Sequence, residues 1–188
     1  IVTGAQRAVR FLDEENVFDS KRLPTDPIVP MLVALWANAP DGLDAEGEAR
    51  SILRKFMWRS FLTERYEFAT NSRTFADYKL LIGMLEGQDN GMPPIFNEEI
   101  YHLPRFEDLL SAAWPKKRDR LGRAVLLVCL QGGGLDFADG SPATRENLRK
   151  REYHHLFPVS ILEKCGEGNG KIFRALNCAL VTWKTNRN

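Results

Sequence analysis

The chain has 188 residues, of which 44% are hydrophobic and 27% charged, and its formal net charge is +1. This length and composition predict a globular protein of one domain, or of one domain with a small appendage. No segment approaches the roughly 20 consecutive apolar residues of a membrane span, and no secretory signal opens the chain. We therefore expect no membrane partner and a cytoplasmic location.

The first 143 residues predict a helical bundle. Apolar residues recur near the helical period, and proline and glycine mark the breaks between the periodic segments. The predicted helices span residues 5–12, 29–38, 44–59, 73–85 and 121–131.

A basic cluster, Pro115-Lys-Lys-Arg-Asp-Arg, precedes the last predicted helix. It serves either as the surface where that helix begins or as a contact to phosphate groups. The glycine-rich segment after the helix, residues 132–142, lacks the lysine and the flanking strand of a phosphate-binding loop. We therefore interpret this segment as a connector.

The three cysteines follow neither a disulfide pattern nor a zinc-binding pattern. Their number is odd and no two of them have C-x-x-C spacing, which argues against both kinds of framework. Cys129 lies in an apolar run and is expected in the core. A zinc site that combines Cys165 or Cys178 with a histidine stays open as an alternative.

Two of the three histidines, His154 and His155, are adjacent and are followed by Leu-Phe-Pro. The segment Tyr153–Phe157 is short and rich in aromatic residues, and Pro158 stops it, so it predicts a strand that ends in a turn. Because successive side chains on a strand point to opposite faces, we expect the two imidazoles on opposite sides. One can then face a cation while the other faces a water molecule.

A second short apolar segment, Ala179–Trp183, predicts the partner strand of a hairpin, and a loop or the start of a helix follows over residues 182–188. This order is expected to return Asn186 to the side of His154. An imidazole nitrogen and an amide oxygen leave most of a coordination sphere to water and phosphate, as a Mg²⁺ site requires.

The motif His-His-Leu-Phe-Pro, with Asn177 and then Asn186 nine positions later, resembles the ββα-metal (HNH, His-Me finger) nucleases. This form of the motif is similar to the C-terminal domain of GmrSD-type modification-dependent restriction endonucleases and their relatives. Upstream segments that resemble the helical part of those proteins are Lys55-Phe-Met-Trp-Arg-Ser, Glu64-Arg-Tyr, Asp77 and Leu135-Asp-Phe-Ala-Asp-Gly.

The resemblance implies a mainly α fold, with a helical region over residues 1–143 and an HNH-like ββα-metal nuclease core over residues 144–188. It also implies a metal-dependent endonuclease that cleaves DNA and takes part in restriction or phage defence. The implied cofactor is a divalent metal ion, Mg²⁺ or alternatively Mn²⁺.

The resemblance assigns a role to each of four side chains. His154 and Asn186 correspond to the metal ligands, His155 to the general base, and Asn177 to the asparagine that orients the base. In the wider superfamily that the motif resembles, the first ligand is commonly Asp, whereas this chain has His154, as does the subgroup that it resembles.

The chain is expected to be a piece of a larger protein. It ends two residues after Asn186, so the resemblance implies a truncated metal-binding helix. The N-terminal ParB-like nucleotide-binding sensor domain of such endonucleases is an implied partner that this sequence does not contain.

Charge is unevenly distributed along the sequence. Residues 141–188 contain nine Lys or Arg against four Glu, a net charge of +5, whereas the first 140 residues carry −4. A positive C-terminal segment suits contact with a phosphate backbone, although a solvated basic face explains it equally. The predicted nucleic-acid contacts are Arg149, Lys150, Arg151, Lys184 and Arg187.

A function from a different class stays open beside the nuclease. The helical part can serve as a non-catalytic module that binds DNA or a partner subunit, with a degenerate or incomplete nuclease element attached. An ordered cation between His154 and Asn186 would distinguish the enzyme from the module.

Overall fold

A computed structural model describes residues 2–117 and 119–187, and these are mainly helical. Ile1, Arg118 and Asn188 lie outside the described residues, so the predicted basic cluster is described except for Arg118. The helices are α1 (Val2–Glu14), α2 (Ile28–Asn38), α3 (Leu43–Leu62), α4 (Thr70–Leu85), α5 (Phe106–Ser111), α6 (Arg120–Gln131), α7 (Val159–Lys164), α8 (Asn169–Ile172) and α9 (Trp183–Arg187).

Two strands, β1 (Glu152–His155) and β2 (Cys178–Val181), form an antiparallel sheet near the C-terminus. In the register His154 lies opposite Ala179, and His155 lies opposite Cys178. The prediction of a mainly helical chain with a small C-terminal hairpin is therefore confirmed. Among the described residues, none of the helices combines the length and apolar character needed to cross a lipid bilayer.

The structure divides into two compact units. The first contains Ile1–Leu12 and Thr25–Pro104, and the second contains Asp13–Pro24 and Arg105–Asn188. The boundary predicted after residue 143 lies inside the second unit. The hairpin and α9 therefore share a unit with α5 and α6, which the sequence assigned to the helical region.

Helix α1 up to Leu12 and helices α2 to α4 build the first unit, and α1 passes very close to α2. A Cβ at Gly4 would collide with the carbonyl oxygen of Val33, so only glycine fits at this contact. Arg7 of α1 then donates hydrogen bonds to the carbonyl oxygens of Trp36 (3.2 Å), Ala39 (2.8 Å) and Pro40 (3.0 Å). These bonds satisfy carbonyl groups that the end of α2 leaves without helical partners.

A buried ion pair joins the loop after α3 to α4. The fully buried carboxylate of Asp77 accepts hydrogen bonds from Arg65 Nε (2.9 Å) and from the hydroxyl of Tyr66 (2.8 Å). Burial, with the charge of Asp77 beside it, raises the pKa of Tyr66 far above its ordinary value. Arg65, Tyr66 and Asp77 thus belong to an internal polar network that links these elements of the first unit.

Helix α6 supplies much of the core of the second unit. Asp119 caps its first turn by accepting a hydrogen bond from the backbone N–H of Gly122 at 2.5 Å, and Leu127 and Leu130 are buried along one side. The prediction that Cys129 lies in the core is wrong, because its side chain is exposed on the outer face of α6.

Candidate functional site

The two adjacent histidines lie on opposite faces of β1, as strand geometry requires. On one face, Nδ1 of His154 is 2.7 Å from Oδ1 of Asn186. On the other face, the ring of His155 stacks on Trp114, with centroids 4.2 Å apart and planes inclined by 17°. The predicted return of Asn186 to the side of His154 is present in the structure.

Glu152 completes the cluster around His154. It precedes His154 by two residues on β1, and its carboxylate accepts a hydrogen bond from Nδ2 of Asn186. Because an ionised carboxylate only accepts hydrogen bonds, this contact fixes the orientation of the amide, and Oδ1 must face His154. Nδ1 of His154 therefore donates its proton to Asn186 in this arrangement.

The three side chains offer a carboxylate oxygen, an imidazole nitrogen and an amide oxygen. This donor set fits a hard divalent cation such as Mg²⁺ or Mn²⁺, which also retains water or phosphate oxygens as ligands. Within residues 2–117 and 119–187, no group of three or more His, Cys, Asp or Glu side chains could hold a metal ion. The candidate cation site therefore depends on the amide of Asn186 as its third donor.

Asp136 anchors the helix that carries Asn186. Its carboxylate, only 3% exposed, accepts hydrogen bonds from the backbone N–H of Thr182 (2.6 Å) and from the hydroxyl of Thr185 (2.5 Å). Burial alone would raise the pKa of Asp136, but these hydrogen bonds outweigh it and hold that pKa well below its ordinary value. The segment interpreted as a connector thus fixes the start of α9.

His155 occupies an aromatic pocket formed by two other rings. Phe173 meets its ring edge to face, with centroids 5.1 Å apart and planes at 78°. Its Nε2 atom is buried and has no hydrogen-bond partner among the described residues. Burial, and to a smaller extent the neighbouring His154, lowers the pKa of His155, so the neutral imidazole is favoured.

Asn177 contacts the backbone that follows His155 instead of its ring. Its side chain is buried, accepts a hydrogen bond from Phe157 N–H (2.8 Å), and donates to the carbonyl oxygens of Phe157 (3.2 Å) and Ile172 (3.0 Å). Asn177 therefore makes no hydrogen bond to the imidazole that it was predicted to orient. Both ends of the amide are occupied by backbone groups, and Asn177 can affect His155 only through the chain beside it.

The predicted phosphate contacts fall into two groups. Arg149, Lys150, Lys184 and Arg187 are exposed. Arg151 is only 4% exposed and donates to the carbonyl oxygens of Leu180 (3.1 Å) and Ser141 (2.6 Å). The prediction of a phosphate contact is wrong for Arg151, because its guanidinium lies inside the second unit and bonds its backbone.

One cation from the predicted basic cluster lies near the aromatic pocket. Nζ of Lys117 is 5.4 Å from the centroid of Phe173, the same ring that contacts His155. Lys117 is exposed, so its ammonium group remains accessible to an anion. Of the two uses considered for this cluster, a phosphate contact is compatible with the position of Lys117.

The cysteine geometry does not favour the zinc alternative. Cys178 is buried in β2, and burial raises the pKa of its thiol to about 12. Zinc binds the thiolate, which this environment disfavours. Cys165 is exposed at the end of α7.

Glu152, Trp114 and Asp136 were not among the site residues predicted from the sequence, although Asp136 lies in a segment that resembles the nuclease family. For Glu152 a signal was present, since a residue two positions before a ligand on a strand shares its face. Trp114 and Asp136 reach the site through tertiary contacts that no local pattern indicates.

No known protein family, curated protein or solved structure matches this chain.

Proposed function

We propose that this chain is a metal-dependent endonuclease that hydrolyses DNA phosphodiester bonds. The observation that carries the proposal is that the candidate cation donors and the candidate base lie on opposite faces of β1. Three cation donors lie on the face of His154, and on the other face the neutral imidazole of His155 has a buried nitrogen, Nε2, without a hydrogen-bond partner among the described residues. Hydrolysis assisted by a cation requires these two components, a metal site and a nearby base.

Glu152, His154 and Asn186 would hold the divalent cation. When bound, the cation would supply Lewis-acid stabilisation of the negative charge that develops on the phosphate oxygens. His155 accepts a proton from water at a ring nitrogen, and the water oxygen forms a bond to phosphorus. The bond from phosphorus to the 3′ oxygen breaks, and solvent protonates that oxygen.

Two properties of the His155 pocket support its role as the base. Its lowered pKa keeps the ring neutral at neutral pH, and only the neutral ring can accept a proton. The stacked ring Trp114 covers one face of the imidazole and so restricts its rotation.

Cleavage of supercoiled plasmid DNA in Mg²⁺ or Mn²⁺ tests the proposal. We expect His155→Ala to lower the cleavage rate by at least roughly 100-fold, the usual contribution of a general base. The matched control is His102→Ala, which removes an exposed histidine of the first unit and should leave the rate unchanged. Equal cleavage by wild type and His155→Ala would remove His155 from the mechanism.

The alternative is a non-catalytic module that binds DNA or a partner protein. Its specific prediction is that the wild-type chain binds DNA and cleaves none of it with either cation. A gel-shift measurement beside the cleavage assay separates the two functions.

A further inference from the structure

Trp114 lies outside the hairpin and α9, yet it makes the closest ring contact to His155. The two rings are nearly parallel, with centroids 4.2 Å apart, and the tryptophan is 6% exposed. Trp114 also meets Phe173 edge to face, with centroids 6.0 Å apart and planes at 85°. Trp114, Phe173 and His155 therefore form a single three-ring cluster.

The backbone next to Trp114 forms backbone contacts with the segment that contains Phe173. The carbonyl oxygen of Ala112 accepts a hydrogen bond from the N–H of Ala175 at 2.8 Å, and Ala113 forms an antiparallel bridge with Arg174. Trp114 directly follows Ala113, and Phe173 directly precedes Arg174. Both rings are held by the same pair of segments.

Helix α6 packs against the segment that contains Trp114. A Cβ at Gly122 would collide with the carbonyl oxygen of Ala113, so the first turn of α6 touches the backbone next to Trp114. The position of the indole is set by main-chain contacts on both sides. A ring fixed in this way can fix the ring stacked on it.

We infer that Trp114 is a positioning residue for the general base, and that the active site extends beyond the C-terminal hairpin to include residues 112–114. This inference rests on the proposed nuclease function. Stacking contacts one face of the imidazole and occupies neither ring nitrogen, and the buried Nε2 has no hydrogen-bond partner among the described residues. Since a misplacement of about 1 Å can cost roughly 100-fold in rate, orientation of this ring matters directly.

Two substitutions separate stacking from simple burial. Trp114→Phe keeps an aromatic face, whereas Trp114→Leu keeps an apolar buried side chain without one. With the full chain and plasmid DNA, we expect Trp114→Leu to lower kcat by roughly 10- to 100-fold with KM nearly unchanged, and Trp114→Phe to recover most of the rate.

The matched control for loss of stability is Leu127→Ala, which removes a buried side chain of α6 in the same unit. Below the melting temperatures of all the variants, Leu127→Ala should retain the wild-type kcat. A role for Trp114 in stability alone predicts instead that kcat follows the melting temperature in every variant.

Proton NMR gives a readout that does not depend on cleavage. A stacked indole shifts the ring protons of His155 upfield, and the shift should persist in Trp114→Phe and disappear in Trp114→Leu. If wild type cleaves DNA and Trp114→Leu cleaves it equally fast, the inference is overturned while the nuclease function stands. If wild type cleaves no DNA, the proposed function fails first and the inference falls with it.

Discussion

Nδ1 of His154 and Oδ1 of Asn186 lie 2.7 Å apart, although 32 positions separate them in the chain. Their approach depends on the register of the β1–β2 hairpin, which places His154 opposite Ala179, and on α9, which turns the chain back across β1. Two ligands of one small cation lie about 3 Å apart, because each stands roughly 2.1 Å from the ion at a near-right angle. The two atoms therefore already lie at close to the spacing of paired ligands, and a bound cation would replace the Nδ1 proton between them.

Removal of the amide should weaken cation binding. In Asn186→Ala the site retains only Glu152 and His154, so we expect Mn²⁺ affinity to fall by roughly tenfold or more, equivalent to about 1.4 kcal/mol. Mn²⁺ titration followed by EPR measures this change directly. Unaltered Mn²⁺ affinity would exclude Asn186 as a ligand and would move the cation site elsewhere.

Glu152 provides a test of a proposed cation ligand that was not predicted from the sequence. Glu152→Gln removes the charge of the carboxylate, but the amide oxygen can still accept the hydrogen bond from Asn186, so the fold should persist. We expect weaker Mn²⁺ binding and slower DNA cleavage with little change in melting temperature. The control, Glu163→Gln, neutralises an exposed glutamate of α7 and should affect neither measurement.

Asp136 gives a prediction about stability and pH. Its pKa is lowered in the folded protein, so its contribution to stability is fully present above the ordinary aspartate pKa and is lost as pH falls toward the folded value. Asp136→Asn should therefore cost about 2 kcal/mol at neutral pH, the typical value of hydrogen bonds to a charged group. Urea denaturation across the pH range should show the gap between wild type and variant closing on acidification.

The control for Asp136 is its neighbour Asp139. Asp139 is exposed and accepts a hydrogen bond from Ser141 N–H at 2.9 Å, which an asparagine can also accept. Asp139→Asn should therefore change the unfolding free energy by much less than Asp136→Asn. An equal loss of unfolding free energy in both variants would indicate that the net charge of this segment, and not the anchoring of α9, determines its stability.

Features encoded by local pattern were predictable from the sequence, and features created by tertiary packing were not. The opposite faces of His154 and His155 follow from strand alternation alone, and the hairpin follows from two short apolar segments. Arg151 and Cys129 were assigned to the wrong environments for a shared reason. Whether a residue is exposed depends on which elements cover it, and a single segment does not contain that information.

The same limit explains Asn177 and Trp114. The sequence identifies Asn177 as a polar residue near the site, but its amide bonds to Phe157 and Ile172, which only the folded loop brings within reach. Trp114 stacks on His155 from 41 positions away through the contact of Ala112 with Ala175. No periodicity in either segment indicates that contact.

Lys117 provides a prediction about how DNA is bound. Its ammonium group lies over Phe173, which contacts the ring of His155, so a phosphate held at the imidazole would lie near this cation. Lys117→Gln should weaken DNA binding and reduce the slope of log affinity against log salt by about one, the effect of one phosphate contact. The control is Lys79→Gln, because the ammonium group of Lys79 likewise lies over an aromatic ring, that of Phe75 in α4. Equal salt slopes for wild type and Lys117→Gln would exclude a direct phosphate contact.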